Sequence, residues 1–216
     1  MAATQAEKSY SLLRDKIVEG DLAPGDRLVN RSLAEEFGVS VIPVREAINR
    51  MASEGLVNQI PGAGAFVRLP EEQEIRELWI FRECIECSSA AEAARHISDR
   101  ELTELDTILD DWEALTAEIE KQSSGKATRA QMKQWMQNEE SFHNRIVEAS
   151  RNRFLVRTAK ENQMLTRLFG VESKPIRMKA RDARRTHSEH GELIKALRRR
   201  DAETARRLMS EHIKGK

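Results

Sequence analysis

The sequence predicts a mainly α protein: a winged helix-turn-helix over residues 1–70, built from three helices and a β-hairpin wing, then an all-α antiparallel helical bundle over residues 71–216. Three observations carry this expectation. Two short amphipathic stretches meet at Gly38 with helix-turn-helix spacing. Two β-rich runs joined by Pro61-Gly62-Ala63-Gly64 follow them directly. Beyond Glu71 the apolar residues keep a helical period, with no convincing strand.

Tyr10, Leu12, Leu13, Ile17 and Val18 mark a first helix that stops at Glu19-Gly20. The segment DLAPGDRL reads as a turn around Pro24-Gly25. Asn30 is placed to cap a second helix whose inner face is Leu33, Ala34 and Phe37. Gly38 supplies the positive φ of the turn, Val39 plugs it, and Ser40 is placed to cap a third helix that buries Val44, Ala47, Ile48 and Met51. Ala34 lets that helix approach closely. The runs GLVNQI and AFVRL then form the wing. In the second part, helices are expected over 71–96, 100–121, 128–149, 152–170, 176–198 and 201–214, with Asp99, Asn152 and Asp201 placed to start three of them. The segment QSSGKAT at 122–128 reads as a flexible connection.

Composition narrows the function classes. In 216 residues, 39% are hydrophobic and 33% charged, which describes a folded helical chain rather than a disordered one. No apolar run approaches the ~20 residues of a membrane helix, and the N-terminus lacks a signal-peptide core, so a cytoplasmic location without a membrane partner is expected. The net charge is zero but unevenly spread. Residues 1–70 carry 8 basic and 9 acidic side chains, residues 71–150 carry 9 and 19, and residues 151–216 carry 19 and 8. The first segment is therefore not a bulk electrostatic nucleic-acid binder, and any DNA contact there rests on a few placed arginines. The opposite charges of the other two are expected to compensate within one bundle. Cys84 and Cys87, the one C-x-x-C pair, cannot complete a four-ligand zinc site alone and read as small helix residues.

One constellation carries chemistry. Glu139 and His143 lie four apart, so a helix projects both from one face. His190 and His212 stand at comparable distances on either side of the polar run Arg198–Asp201, and an antiparallel helix hairpin returns them to one level. Singly, each residue has a plainer reading: a hydrogen-bonded core histidine, or a solvated glutamate beside Glu140. Together they have the composition of a metal site. Three imidazoles and a carboxylate suit zinc foremost, or nickel, iron or manganese, rather than magnesium or calcium.

The stretch from Gly20 to Val67, with PGDRL, LAEEFGVS, PVREA and EGLV in order, resembles the winged-helix domain of the GntR family of bacterial transcription regulators. The resemblance implies that Arg31, Ser40, Arg45 and the wing tip at Gly64 meet DNA; Arg45 also falls in the first turn of the recognition helix, where side chains reach base edges. The family usually has Ser-Arg-Thr-Pro-Val-Arg where this chain reads Ser40-Val41-Ile42-Pro43-Val44-Arg45. Val41 thus replaces an arginine in the DNA-facing set, and the operator sequence is expected to differ. The pieces FRECIECSSAAEAA, EESFHNRIVEASRNRFL and EHGELIKALRRRDAETARRLMSEH resemble the six-helix effector-binding domain of the FadR subfamily. Many members bind a divalent metal through an aspartate and three histidines; those positions fall on Glu139, His143, His190 and His212, with glutamate in place of aspartate. Arg82 and Glu86 match the subfamily's Arg…Glu pair, readable either as an i,i+4 salt bridge or as a clamp for an effector carboxylate. Gln163 and Arg167 are further candidates for a cavity lining.

The implied function is a metabolite-responsive regulator, a repressor in most members, that binds palindromic operator DNA as a homodimer and takes a small organic acid as effector. Two other classes stay open on the sequence: a metal-dependent enzyme using the Glu/His site, and a helical assembly with a vestigial DNA-binding head. Against the enzyme, no general base, nucleophile or phosphate loop accompanies the ligands.

Overall fold

The computed structural model of the chain describes residues 4–18, 20–170 and 178–215, with the side chains of Met164 and of 166–170 outside that set. It divides into two compact units, Met1–Ile75 with Met164–Ser173, and Arg76–Gln163 with Lys174–Lys216.

The first unit contains α1 (Gln5–Val18), β1 (Arg27–Leu28), α2 (Asn30–Phe37), α3 (Val41–Ser53), β2 (Val57–Ile60) and β3 (Gly64–Val67). Its core is Tyr10, Leu13 and Ile17 of α1, Leu33 and Ala34 of α2, Val44, Ala47, Ile48 and Met51 of α3, with Leu28, Leu56, Val57 and Val67 closing the sheet side. These are the periodic apolar positions of the sequence, so the helical and strand periods set the packing. Gly38 takes a left-handed backbone (φ 65) and its N–H bonds back to the end of α2, which turns the chain into α3. Two local expectations are corrected. The DLAPGDRL turn ends in a strand: Arg27 and Leu28 pair with Phe66 and Ala65, giving a three-stranded antiparallel sheet of order β1-β3-β2. Asn30 is the first helical residue of α2 rather than its cap, because the extended Val29 already accepts the first helical bond, from Leu33.

Among the described residues the second unit is helical, made from α4 (Glu72–His96), α5 (Asp99–Glu120), α6 (Arg129–Ala149), α7 (Arg153–Gly170), α8 (Ala180–Arg198) and α9 (Ala202–Lys214), with the start of α4 and the end of α7 grouped in the first unit. Residues 176–177 of the expected fifth bundle helix fall outside the described residues. α5 packs against α6 and α8, and α8 against α9. Ser98 with Glu101 and Thr128 with Gln131 form full capping boxes, so the cap of α5 is Ser98 rather than Asp99. Asn152 and Asp201 cap α7 and α9 as expected. The 122–128 segment is tied down, with Lys126 bridged to Lys179 and the Ala127 N–H donating to the Met178 carbonyl at 3.0 Å. The charge imbalance closes within this unit: Arg184 of α8 bonds Glu113 and Glu120 of α5, and Arg198 bonds Asp106. Cys84 and Cys87 are free thiols on α4. No described helix is long and apolar enough to cross a membrane.

Candidate metal centre and DNA-reading helix

Three helices bring four donors to one point. Glu139 and His143 share one face of α6, His190 comes from α8 and His212 from α9. The hairpin between α8 and α9 turns through Arg200, whose left-handed backbone (φ 61) is uncommon for a side-chain-bearing residue. The Nε2 atoms of His190 and His212 are 3.2 Å apart, and His143 Nε2 lies 3.0 Å from Glu139 Oε2. Glu139 Oε2 is 3.8 Å from His190 Nε2 and 4.0 Å from His212 Nε2. All four donor atoms fall within 4.8 Å of one another. Neighbouring donors around a metal at ~2.1 Å stand roughly 3.0–3.4 Å apart, so the closest pairs already match a coordination edge.

Groups behind the ligands decide what this cluster can hold. His212 Nδ1 is 2.8 Å from Glu189 Oε2, and His143 Nδ1 is 2.5 Å from Glu86 Oε2. A carboxylate hydrogen-bonded at Nδ1, as Glu189 is to His212, fixes the proton there and turns the Nε2 lone pair toward the centre. Three imidazole nitrogens and a carboxylate oxygen gathered in a buried core are the donor types, at the spacing, that a transition-metal cation takes. The donor set therefore fits a divalent metal. Glu86 is itself held by Arg82, Nε to Oε1 at 2.5 Å. Burial works against the Glu86 carboxylate, yet His143 and Arg82 outweigh it and hold the carboxyl far below the usual carboxylate range. Burial likewise opposes the Arg82 charge, and Glu86 and then Glu139 more than offset it. His190 is fully buried, stacked on Trp112 at 4.2 Å (interplanar angle 12°) and against Phe142 at 4.2 Å.

In the first unit, Ser40, Val41 and Arg45 lie at the start of α3, Arg31 on α2 and Gly64 at the first position of β3, all exposed. Ser40 occupies the cap position of α3 but makes no side-chain cap bond. Gly64 has φ 113, and a Cβ there would meet Arg27 Nε at 3.3 Å, so the wing tip carries the Arg27 guanidinium.

Residues 77–215 match the FCD domain model, and residues 5–67 match the model of the bacterial regulatory proteins of the gntR family. The chain belongs to the GntR family. It is a transcription regulator with an FCD effector-binding domain, not an enzyme, and the metalloenzyme alternative is set aside. This GntR regulator is 26% identical over 212 residues to the transcriptional repressor RspR of Escherichia coli, covering 96% of this chain and 85% of RspR. It is 30% identical over 137 residues to the Nta operon transcriptional regulator of Aminobacter aminovorans, covering 63% of this chain and 60% of that protein. The fold is similar to that of E. coli McbR/YncC, with a TM-score of 0.78 at 23% identity over 99% of this chain and 95% of that one.

The geometry of this GntR regulator brings together Glu139, His143, His190 and His212 and joins Arg82 and Glu86 to them through His143. His187 stays apart, 3.4 Å from Glu113, and Gln163 donates to Glu140 at 2.5 Å. The Arg167 side chain lies outside the described residues. Sequence reasoning missed Glu189, Trp112 and Arg27. Glu189 precedes a ligand, and adjacent helix residues do not share a face, so only the return of α9 reveals that it serves His212.

Proposed function

We propose that this GntR regulator is a metabolite-responsive repressor that binds palindromic operator DNA as a homodimer. In this reading residues 1–70 bind DNA, and residues 71–216 bind effector and dimerise. Arg31, Ser40, Val41, Arg45 and Gly64 face the operator. A single winged helix reads a half-site, so a palindrome calls for two copies. RspR and GlaR of E. coli, both named repressors, support the sign.

The observation that carries the effector half is the convergence of Glu139, His143, His190 and His212, with Glu86 and Glu189 behind two of the histidines. A divalent transition metal held there, zinc foremost and nickel, iron or manganese through the same donors, would supply a Lewis-acidic anchor for a small organic acid. Glu86 and Glu189 orient His143 and His212. Arg82, its Nε fixed on Glu86, adds a positive charge and terminal N–H groups for an effector carboxylate. Effector binding alters DNA affinity to the extent that it favours one arrangement of the two reading heads over the other. Two measurements test the reading on the purified full chain. Elemental analysis is expected to give one transition metal per chain, lost in Glu139→Ala. Selection from random duplex DNA is expected to enrich a palindrome. A wild-type chain that takes up none of the four metals, or that enriches only single half-sites, contradicts the corresponding half.

A further inference from the structure

We infer that Val41 and Ile42 read thymine 5-methyl groups, so that this regulator selects part of its operator by apolar contact. The inference rests on the reading of α3 as the recognition helix. Val41 and Ile42 are the first two residues of α3, 40% and 59% exposed. The other large aliphatic side chains of that helix, Val44, Ile48 and Met51, are all buried, so its inward stripe is complete without this pair. Val41 stands four residues and Ile42 three residues before the exposed Arg45, so each neighbours Arg45 across one helical turn. They also occupy the N-terminal turn, the end that a recognition helix presents to base edges.

The chemistry of the groove then singles out a ligand. Along the major groove, the thymine 5-methyl is the apolar feature, while the other base-edge features are hydrogen-bond donors and acceptors. Both side chains are β-branched and stiff at χ1, so little rotamer freedom is lost when their methyls are covered. Glu46, exposed one turn beyond Ile42, suits a base amino group and repels a phosphate, which directs this face at the bases rather than the backbone. A protein partner is the poorer occupant. Two half-exposed side chains offer far less than the ~800 Å² per partner of a stable interface.

The test uses the full chain and the duplex that it enriches from random DNA. Each thymine of the half-site is replaced in turn by deoxyuridine, which deletes one methyl and leaves every hydrogen-bonding group in place. Wild-type protein is expected to bind roughly threefold to fivefold more weakly at one or two positions next to the base contacted by Arg45. The Val41→Ala/Ile42→Ala variant, changed only at exposed positions, is expected to bind both duplexes equally while unfolding at the wild-type midpoint. The Arg45→Ala variant is expected to retain the methyl dependence in its weakened binding. Unchanged wild-type binding at every deoxyuridine, or a methyl dependence that survives in the double variant, overturns the inference and leaves DNA reading by α3 standing. Failure to enrich any sequence overturns that reading itself, and the inference with it.

Discussion

The core of the N-terminal unit is a continuous apolar cluster from Tyr10 to Val67, and among the described residues the one buried polar side chain beside it, Ser9, bonds its own helix at the Gln5 carbonyl. The bundle instead buries Glu86, His143, His190 and His212 beside Trp112, Trp135 and Phe142. In the proposed reading the DNA-facing side chains of the first unit are exposed and its interior only packs, whereas the candidate metal site of the second lies in its interior. Buried charges cost several kcal/mol each unless paired, and the large apolar cluster around them is what lets the bundle hold a chain from Arg82 through Glu86 to His143. Regulation by a small molecule suits that arrangement, because a ligand inside a core couples to packing, whereas a DNA contact on an exposed helix does not.

The contrast is breakable with variants that strike one unit at a time. The largest effect is expected from His190→Ala, which removes both a donor and the ring between Trp112 and Phe142. Losing a large buried side chain costs about 2–5 kcal/mol, and the chain should retain no metal. Because all three tryptophans, Trp79, Trp112 and Trp135, belong to the second unit, their fluorescence in urea reports that loss without interference from the head. Metal-free DNA binding should remain measurable. If it vanishes, the interior of the bundle supports the head and the separation fails. Next in size is Glu189→Ala, which frees Nδ1 of His212 and should weaken metal binding about 10- to 100-fold in a chelator competition, with folding preserved. Unchanged affinity would mean that Glu189 does not orient the ligand. The mirror experiment is Arg45→Ala, expected to cost about 1–3 kcal/mol of base discrimination on a selected duplex while metal content stays at the wild-type level.

The same division explains how much the sequence reveals. The head is legible because turn chemistry and period act locally: Gly38, Ala34 and Val44 determine their neighbours' positions within a few residues. What escaped was β1, since two residues are too few for a period and Arg27-Leu28 pairs only once β3 has arrived. In the bundle, Glu139 and His143 are legible at four-residue spacing, and the hairpin aligns His190 with His212 by simple rise per residue. The carboxylates behind them are less so. In the sequence Glu86 reads as a partner of Arg82 alone, because its contact with His143 crosses from α4 to α6. Trp112 reads as ordinary core until the stacking on His190 is seen. Tertiary contacts between helices far apart in the chain are written in packing, and packing has no local signature.

The smallest effect tests the apolar head through a polar contact at its edge. Tyr10 is the single tyrosine of the chain, and its hydroxyl donates to Glu54 Oε2 at 2.5 Å. Arg50 lies over its ring at 4.0 Å and bonds the other oxygen of Glu54 at 2.9 Å. Burial first, and then the Glu54 carboxylate, push the phenol up to about 12 from its ordinary 10. The folded state thus binds its proton more tightly than the unfolded chain does. That stabilisation is complete below pH 10 and drains away as the pH rises from 10 to about 12. Because no second tyrosine absorbs, tyrosinate absorbance during an alkaline titration follows Tyr10 alone. It should rise near pH 12, or abruptly with unfolding of the head, and Glu54→Gln should bring the midpoint down toward 10. Tyr10→Phe should cost about 1 kcal/mol at neutral pH and flatten the alkaline loss. A wild-type midpoint at 10 would mean that the hydroxyl is neither buried nor bonded to Glu54 in solution.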